Sequence, residues 1–401
     1  MTEPAGAAIP THVPAALVYD FDYFTAPRDT IFPHIEVARR LRAEAPDIFF
    51  TPRNGGHWVV TRYEDGLEVS RLADKFSNDP KFNIDRQVKP RMVPIEYDPP
   101  EHTDLRRILN PVFTPAAVRR MADGIRTLAI ELIDQVLLKG GCDFVTEIAR
   151  RFPITLFLRM ANAPLEHSDF LLSLADGFLR GKDPESRARA KSEMGTYLKS
   201  MLAERAQNPG DDIVSLIATA SLPDRALTDD EREGYATLAF FGGLDTVMAT
   251  LSFIMHTLGR NPDVYAGFVA NPATIEHGLE ELIRLSGTNC TPRGISHDFT
   301  FKGIDFRTGD RLVLVRPVMG VDDRSAAEPE TIDLTRTACP HLAFGAGPHR
   351  CLGSHLARAE MRIFLEEWTK RIPHFTVDYV EMQGGIVWAP AKLRLAWTPP
   401  G

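Results

Sequence analysis

The sequence predicts a mostly α-helical protein with a minor β portion, folded as one large domain across residues 1–401. Three observations predict it. Apolar residues recur at the helical period through most of the chain. Short alternating runs beside glycine-containing turns, the mark of strands, are few. No low-complexity linker, fixed repeat or long single-sign charge run offers a place to divide the chain.

Taken in order, residues 1 to about 30 are Pro-rich and irregular, and a short helix is predicted over 35–45. Runs at 48–51 and 57–63 flank Asn54-Gly55-Gly56, a hairpin signal. Asp98-Pro99-Pro100-Glu101 combines an N-cap aspartate, a proline at the first helical position and a glutamate behind it. The helix it opens carries His102, Leu105, Arg106 and Leu109 along one side, with Arg107 turned toward solvent. Helical patterns continue over 116–138, 144–160, 168–179 and 186–206. Next comes an apolar stretch, 235–258, long enough to span a bilayer. Asp245 near its middle, with Gly242, Gly243, Thr246, Thr250 and His256, argues instead for a helix through a protein interior. The capping box Thr228-Asp229-Asp230-Glu231 and the stop Gly259-Arg260-Asn261-Pro262 agree. Asn271-Pro272 opens a helix that ends at Gly287 and buries Ile275, Leu279, Leu282 and Ile283. Strand patterns follow at 299–301, 304–306 and 312–315. Leu352, Leu356, Ala359, Ile363, Phe364 and Trp368 then share one face of a last helix, which starts right after Cys351 and ends near Pro373.

Composition narrows the function. A hydrophobic fraction of 44% with 25% charged residues is ordinary for a soluble enzyme. A net charge of −8 argues against general nucleic-acid binding. Four cysteines without close pairing suggest a reducing compartment, with Cys142, Cys290 and Cys339 as plain core or near-surface residues. The start Met-Thr-Glu-Pro-Ala-Gly carries no secretory signal, so a cytoplasmic protein without a membrane partner is expected.

Chemistry concentrates at Phe344 to Gly353, which read Phe-Gly-Ala-Gly-Pro-His-Arg-Cys-Leu-Gly. Cys351 precedes a helix, where dipole and free N–H groups favour a thiolate, the iron-ligating form. Gly345, Gly347 and Gly353 would let backbone pass close to a flat ligand, with His349 and Arg350 as donors beside it. A buried inert cysteine is the plain alternative. A zinc cluster of Cys339, His341, His349, Cys351 and His355 has spacing that fits structural zinc poorly. Glu281 and Arg284, three apart, can form a bidentate pair; on a surface that is worth well under ~1 kcal/mol. Asp245 and Thr246 are costly inside a helix unless satisfied, although a threonine there can back-bond the previous turn.

The spacing Phe-x-x-Gly-x-His-x-Cys-x-Gly resembles the haem-binding loop of the cytochrome P450 family, whose cysteine is the proximal iron ligand. Glu281-Leu282-Ile283-Arg284, Asp98-Pro99-Pro100-Glu101-His102-x-x-x-Arg106 and Gly242-Gly243-Leu244-Asp245-Thr246 resemble that family's Glu-x-x-Arg pair, propionate-binding helix and oxygen-binding groove. The resemblance spans essentially the whole chain and implies a single haem-thiolate domain. Haem b would sit on Cys351 with Phe344, Gly345 and Gly353 around it, and His102, Arg106, Arg293 and His349 on its propionates. Glu281 and Arg284 would be structural. Thr246 would hold the dioxygen hydrogen-bond network and Asp245 would supply protons, gated by Asp176 or Arg180. A non-catalytic haem sensor would need neither Asp245 nor Thr246, and reductant-independent isomerases or dehydratases of this type commonly lack the pair.

Gly-Gly-Leu-Asp-Thr-Val, Phe-Pro-Ile at 152–154 and Glu-Trp-x-x-Arg-Ile-Pro at 367–373 look like the camphor-hydroxylating branch. That implies O2 as co-substrate and electrons from a [2Fe–2S] ferredoxin, itself reduced by an NADH-dependent ferredoxin reductase. The ferredoxin would dock on the cysteine side, against Arg106, Arg107, Arg350, Arg358 and Arg362. Camphor recognition in that branch uses a phenol from the loop before the propionate helix. Here that loop reads Val88-Lys89-Pro90-Arg91-Met92-Val93, with Pro90 at the matching position and no tyrosine before Tyr97. A small, mostly apolar terpenoid or norisoprenoid is therefore expected instead. Candidate pocket residues are Phe82, Met92, Leu238, Phe241, Asn289, Ile386 and Val387.

Overall fold

Clear apolar stripes become helices, and the scattered strands gather into three small sheets. The computed structural model describes residues 7–25, 32–82, 90–180, 183–385 and 387–400. Val88, Lys89 and Ile386 lie outside the described residues, as do the side chains of Phe82 and Arg180. The helices are α1 (Pro33–Glu44), α2 (Tyr63–Arg71), α3 (Glu101–Leu109), α4 (Pro115–Leu137), α5 (Arg151–Met160), α6 (Ser168–Arg180) and α7 (Pro184–Gln207). After them come α8 (Ile213–Thr219), α9 (Asp229–Arg260), α10 (Pro262–Ala270), α11 (Ile275–Leu285), the single turn α12 (Arg316–Met319) and α13 (Ser354–Arg371).

The interior is organised by α9. Its second half, including Leu251, Ile254, Met255 and Leu258, is buried against Ile125 of α4, Leu279 and Leu282 of α11, and Phe364 and Trp368 of α13. Its first half, with Tyr235, Phe240 and Leu244, packs on Phe157 of α5, Leu171 of α6, Met194 of α7 and Ile217 of α8. Each such side chain contributes roughly 1.5–3 kcal/mol of apolar burial. By length and composition α9 could cross a membrane, yet both halves meet protein. Its capping box forms in both directions, Thr228 Oγ1 accepting from the Glu231 N–H at 3.2 Å and Glu231 accepting from the Thr228 N–H at 2.7 Å. The Tyr235 hydroxyl then donates to the Leu105 carbonyl at 2.7 Å, fixing α3 against α9.

Strands β1 (Ile48–Thr51), β2 (His57–Val60), β3 (Phe76–Ser77), β4 (Gly141–Asp143), β5 (Cys290–Ile295), β6 (Phe299–Phe301), β7 (Ile304–Phe306), β8 (Arg311–Val315), β9 (Thr376–Gln383) and β10 (Ala389–Ala396) complete the fold. The largest sheet runs β1-β2-β8-β5-β3, with β2 and β8 parallel. A second runs β4-β10-β9, and β6 pairs with β7. The expected hairpin of β1 and β2 forms around Asn54, Gly55 and Gly56, all at positive φ.

Four local expectations are corrected. The strand expected over 57–63 stops at Val60, because the Tyr63 N–H donates to Asp322 at 2.9 Å and starts α2. Asp98 does not cap α3. Its carboxylate accepts instead from Ser77 Oγ and from the Asn78 N–H at 2.8 Å, so α3 begins at Glu101 behind Pro100. The helix expected over 144–160 is a wide π-type turn at Val145–Ala149 followed by α5. Pro153 has no N–H for the carbonyl four residues back, which favours such a break. The last helix begins at Ser354, not directly after Cys351. Elements without a prediction were α2, β3, β4, α8, α10, β5, whose Pro292 argues against a strand, the turn α12, β9 and β10.

Glu281 and Arg284 are 1% and 0% exposed. The guanidinium grips the carboxylate through Nε and Nη2, both at 2.7 Å. Its Nη1 donates to the carbonyls of Gly320 at 2.5 Å and Pro329 at 2.6 Å. Glu281 also accepts from the Asp333 N–H at 3.1 Å and from Arg336 at 3.2 Å. The pair thus ties α11 to the long segment leading to the cysteine loop. Glu281→Gln leaves Arg284 buried without its counter-charge and should cost roughly 3–5 kcal/mol. The check is the urea midpoint at unchanged slope; an unmoved midpoint would mean that the carbonyls alone satisfy Arg284.

Candidate cofactor and active site

The segment between α12 and α13 ends in a tight loop. Gly345 and Gly347 sit at φ +64° and +65°, where other residues are strained. A Cβ at 347 would also collide with the Ser70 carbonyl oxygen. The loop closes through the Cys351 N–H, which donates to the Phe344 carbonyl at 2.7 Å. Arg106 of α3 reaches over to donate to the Arg350 carbonyl at 2.6 Å. Cys142 and Cys290 are buried, whereas Cys351 is exposed. Although open on one side, Cys351 is walled by protein, and this burial pushes its thiol above the ordinary range. The Gly353 N–H and the nearby Arg316, Arg106 and Arg358 pull the other way without reversing it. The helix-terminus thiolate expected from sequence is thus not favoured by the protein's own groups.

Around this loop the protein crowds positive and neutralised basic groups. His102 and His349 meet with ring centroids 4.1 Å apart, their planes tilted by 43°. His102 Nδ1 and both His349 nitrogens are buried without hydrogen-bond partners. Asp98, the nearest acid to His349, is 3.9 Å away. Burial holds His102 down to about 4, and with neighbouring Arg293, His102, Arg106 and Arg316 it holds His349 down to about 2. Arg293 is 3% exposed and spends one nitrogen on the Pro292 carbonyl at 2.7 Å. Burial lowers it to about 9, Arg316 adding to the effect. Arg316, 8% exposed, is lowered by burial to about 10, and its Nε has no partner.

Buried cations and orphaned imidazoles cost stability on their own. They fit a ligand carrying two carboxylates. A Cβ at 353 would have no protein atom within 4 Å, which leaves room for a flat ring beside the sulfur. Haem has both features, and the residues present fit it. The fold brings together all of His102, Arg106, Arg293, His349 and Cys351. Sequence reasoning missed Arg316. It opens α12 directly after β8, in line with Leu312 and Leu314, and no local motif marks it.

Leu352, beside the cysteine, packs into the same cluster as Leu244 of α9. At that level α9 is exposed in mid-helix at Gly242 and Gly243, and no atom lies within 4 Å of a Cβ at 243. Thr246 Oγ1 donates to the Gly242 carbonyl at 3.1 Å, and Thr250 Oγ1 donates to the Thr246 carbonyl at 2.8 Å. Asp245 is half-buried, and Asp176 pairs with Arg150. Phe241 contacts Phe178 and Phe240 at ring distances of 5.1 and 4.8 Å, and Phe240 contacts Phe157 at 5.2 Å. Leu238 and Met92 are half-buried, while Asn289 and Val387 meet through a β-bridge. Tyr97 lies under the Arg91 guanidinium, 4.9 Å from ring centre, and packs on the α9 cluster.

The alternative zinc ligands do not gather. Cys339 faces the Arg336 carbonyl, His341 faces Glu280 at 3.3 Å, and no metal-holding group of three occurs among the described residues. The expected basic patch is also partly neutralised. Arg107, Arg358 and Arg362 pair with Asp104, Glu280 and Glu366 at 2.5–2.6 Å.

Residues 275–384, from α11 past the cysteine loop, match the family model described as Cytochrome P450. The chain is 34% identical to a probable cytochrome P450 127A1 of Sinorhizobium fredii, over 97% of each sequence. It is 30% identical to a steroid C26-monooxygenase of Mycolicibacterium smegmatis, over 84% of this chain and 85% of that one. The crystal structure of CYP101J2 overlays with a TM-score of 0.88 at 30% identity, covering 98% of this chain and 100% of the other. On this likeness along nearly its whole length, and on a loop built for a sulfur-bound planar dianion, the chain belongs to the cytochrome P450 family.

Proposed function

We propose that this protein is a haem-thiolate monooxygenase that hydroxylates a small, mostly apolar substrate of terpenoid or norisoprenoid type. It would use O2 and electrons from a [2Fe–2S] ferredoxin, in the cytoplasm. The observation that carries the reading is the set of partnerless basic groups around Cys351, with the glycine-opened middle of α9 packed next to it.

Haem b is the cofactor of this family, and when bound it supplies the activation of O2 and the insertion of oxygen into a C–H bond. Cys351 would hold its metal through sulfur. His102, Arg106, Arg293 and His349 would satisfy its carboxylates, which would in turn give the orphaned nitrogens their partners. Thr246 gives its own proton to Gly242, so its oxygen faces the cavity as an acceptor and steadies a donor there. Asp245, one residue away and half-buried, relays protons from solvent. Phe178, Phe240 and Phe241 keep the substrate side apolar and exclude water.

The substrate class rests on that aromatic wall and on the missing phenol. Pro90, Arg91 and Met92 offer no hydroxyl, and Tyr97 is engaged by Arg91. The steroid named for one relative is likewise largely apolar. For the ferredoxin, Arg106 and Arg350 remain without a carboxylate partner among the described residues, so docking is expected to be weaker than five arginines would give.

The direct test is a panel of small terpenoids and norisoprenoids, scored by haem spin-state shift and by hydroxylated product with a ferredoxin system. A shift and product from at least one member supports the class; none across the panel, with larger steroids active, would move it. Thr246→Ala should keep oxidising NADH while product per NADH falls ~10-fold or more, the remainder appearing as peroxide. Coupled turnover in that variant would remove the threonine from the mechanism. Gly353 has φ −81°, which suits any residue. Gly353→Ala should therefore leave the haem-free protein's thermal midpoint unchanged, yet overpack the ring by about 1–3 kcal/mol, read as roughly 5- to 150-fold weaker haem binding.

A further inference from the structure

We propose that Arg316 is the cation facing the axial sulfur of Cys351, and that its charge raises the reduction potential of the bound iron. The inference rests on the haem-thiolate reading above. It concerns a positioning residue that belongs to none of the motifs by which the family was read.

Three guanidiniums act on Cys351: those of Arg316, Arg106 and Arg358. They are not equivalent. Arg358 forks onto Glu280 at 2.5 and 2.9 Å and lies over the Phe344 ring, so its charge is balanced within its own contacts. Arg106 is half-exposed, where water and salt screen it, and it bonds a carbonyl. Arg316 alone is both buried and without a carboxylate among the described residues. Its field therefore acts on the sulfur through protein, where charge interactions are several times stronger than in water.

The backbone explains how it gets there. Strand β8 ends at Val315, opposite Cys290 of β5, so Arg316 continues the face of Leu312 and Leu314. Arg293 shares that face from the neighbouring strand, opposite Leu312. Both arginines act on His349; Arg293 also faces Asp98, whereas Arg316 also faces Cys351 and Cys290. Arg316 Nη2 is 3.0 Å from where a Cβ on Gly345 would stand. The glycine thus keeps the cysteine loop close over the guanidinium, in addition to its need for positive φ.

The sign follows from charge. Taking one electron from an external donor makes the iron–sulfur unit one unit more negative, and a nearby fixed cation favours that state. Removing the charge makes the iron harder to reduce.

The test is a redox titration of purified haem-loaded wild type, Arg316→Gln, Arg316→Met and Arg316→Lys, with haem loss to an acceptor protein measured in parallel. Replacing a partnerless buried charge by an apolar side chain of similar length is often tolerated, so Arg316→Met guards against a Gln variant that does not accumulate. Gln and Met variants should each shift the ferric/ferrous balance ~10-fold toward ferric, which is ~59 mV for a one-electron couple. Arg316→Lys should keep most of the wild-type value. Wild-type potentials in the Gln and Met variants would overturn the proposal. So would faster haem loss at unchanged potential, which would assign Arg316 to a propionate. The reduced carbonyl adduct of the wild type separates the two levels: a globin-like absorption there would defeat the haem-thiolate reading itself, whereas a thiolate-type absorption with unmoved potentials would defeat only the role of Arg316.

Discussion

The structure depends on an electrostatic arrangement that the protein's own groups leave unbalanced. Arg106, Arg293 and Arg316 converge on the Cys351 loop beside two imidazoles in tilted contact, and Asp98 at 3.9 Å from His349 is the nearest carboxylate to that ring among the described residues. Repulsion and lost hydration there cost stability, and the burial-driven shifts of Arg293, Arg316 and His349 record that cost. Haem would bring two carboxylates, with Cys351 joining it as a thiolate, so that negative groups would meet these guanidiniums. Binding and loop stability are therefore linked, as for any site whose ligand supplies the counter-charge.

Holding like charges together requires a rigid frame, and its members can be named. Arg284 clamps Glu281 and the Gly320 and Pro329 carbonyls, which fixes the entry to the cysteine segment behind α12. Tyr235 pins α3 to α9, so His102 and Arg106 keep their height relative to the loop. Gly347 lets the loop pass against Ser70, on α2. Each constraint joins elements far apart in sequence, and none contacts the sulfur itself.

This distance explains what could be read beforehand. With the redox test of Arg316 as the example, the candidate residues named from sequence were those in local patterns: Cys351 among its glycines, His102 and Arg106 one turn apart, Asp245 and Thr246 in an apolar run. Arg316 was invisible because its place depends on the register of β8 against β5, which no local pattern encodes. The same limit carried the strand expected over 57–63 too far, because Asp322 from the far side of the chain starts α2 at Tyr63. Asp98 failed differently. Its cap signal was sound, but Ser77 and Asn78 offered it better donors. Strand β5 was overlooked because Pro292 forbids a ladder bond in a central strand; β3, only two residues long, pairs with Ile295 and Gly294 and leaves Pro292 at an effective edge.

The two sides of the site make opposite demands on the chain. Below the sulfur, charge must be kept in a poorly screened place, and the protein does so with arginines, which stay protonated even when burial lowers them to about 9 or 10. Lysines in those positions would lose charge more readily. Above it, a reactive centre needs dryness, and α9 meets this with Phe240, Phe241 and Phe178 around two glycines that withhold side chains. Polar atoms on that side are few and engaged, as when Thr246 bonds its own helix. A polar substituent on the substrate would then find little to pair with, at a cost of several kcal/mol if it were buried unsatisfied. On the proposed reading, an apolar preference would follow from the same requirement that keeps water out.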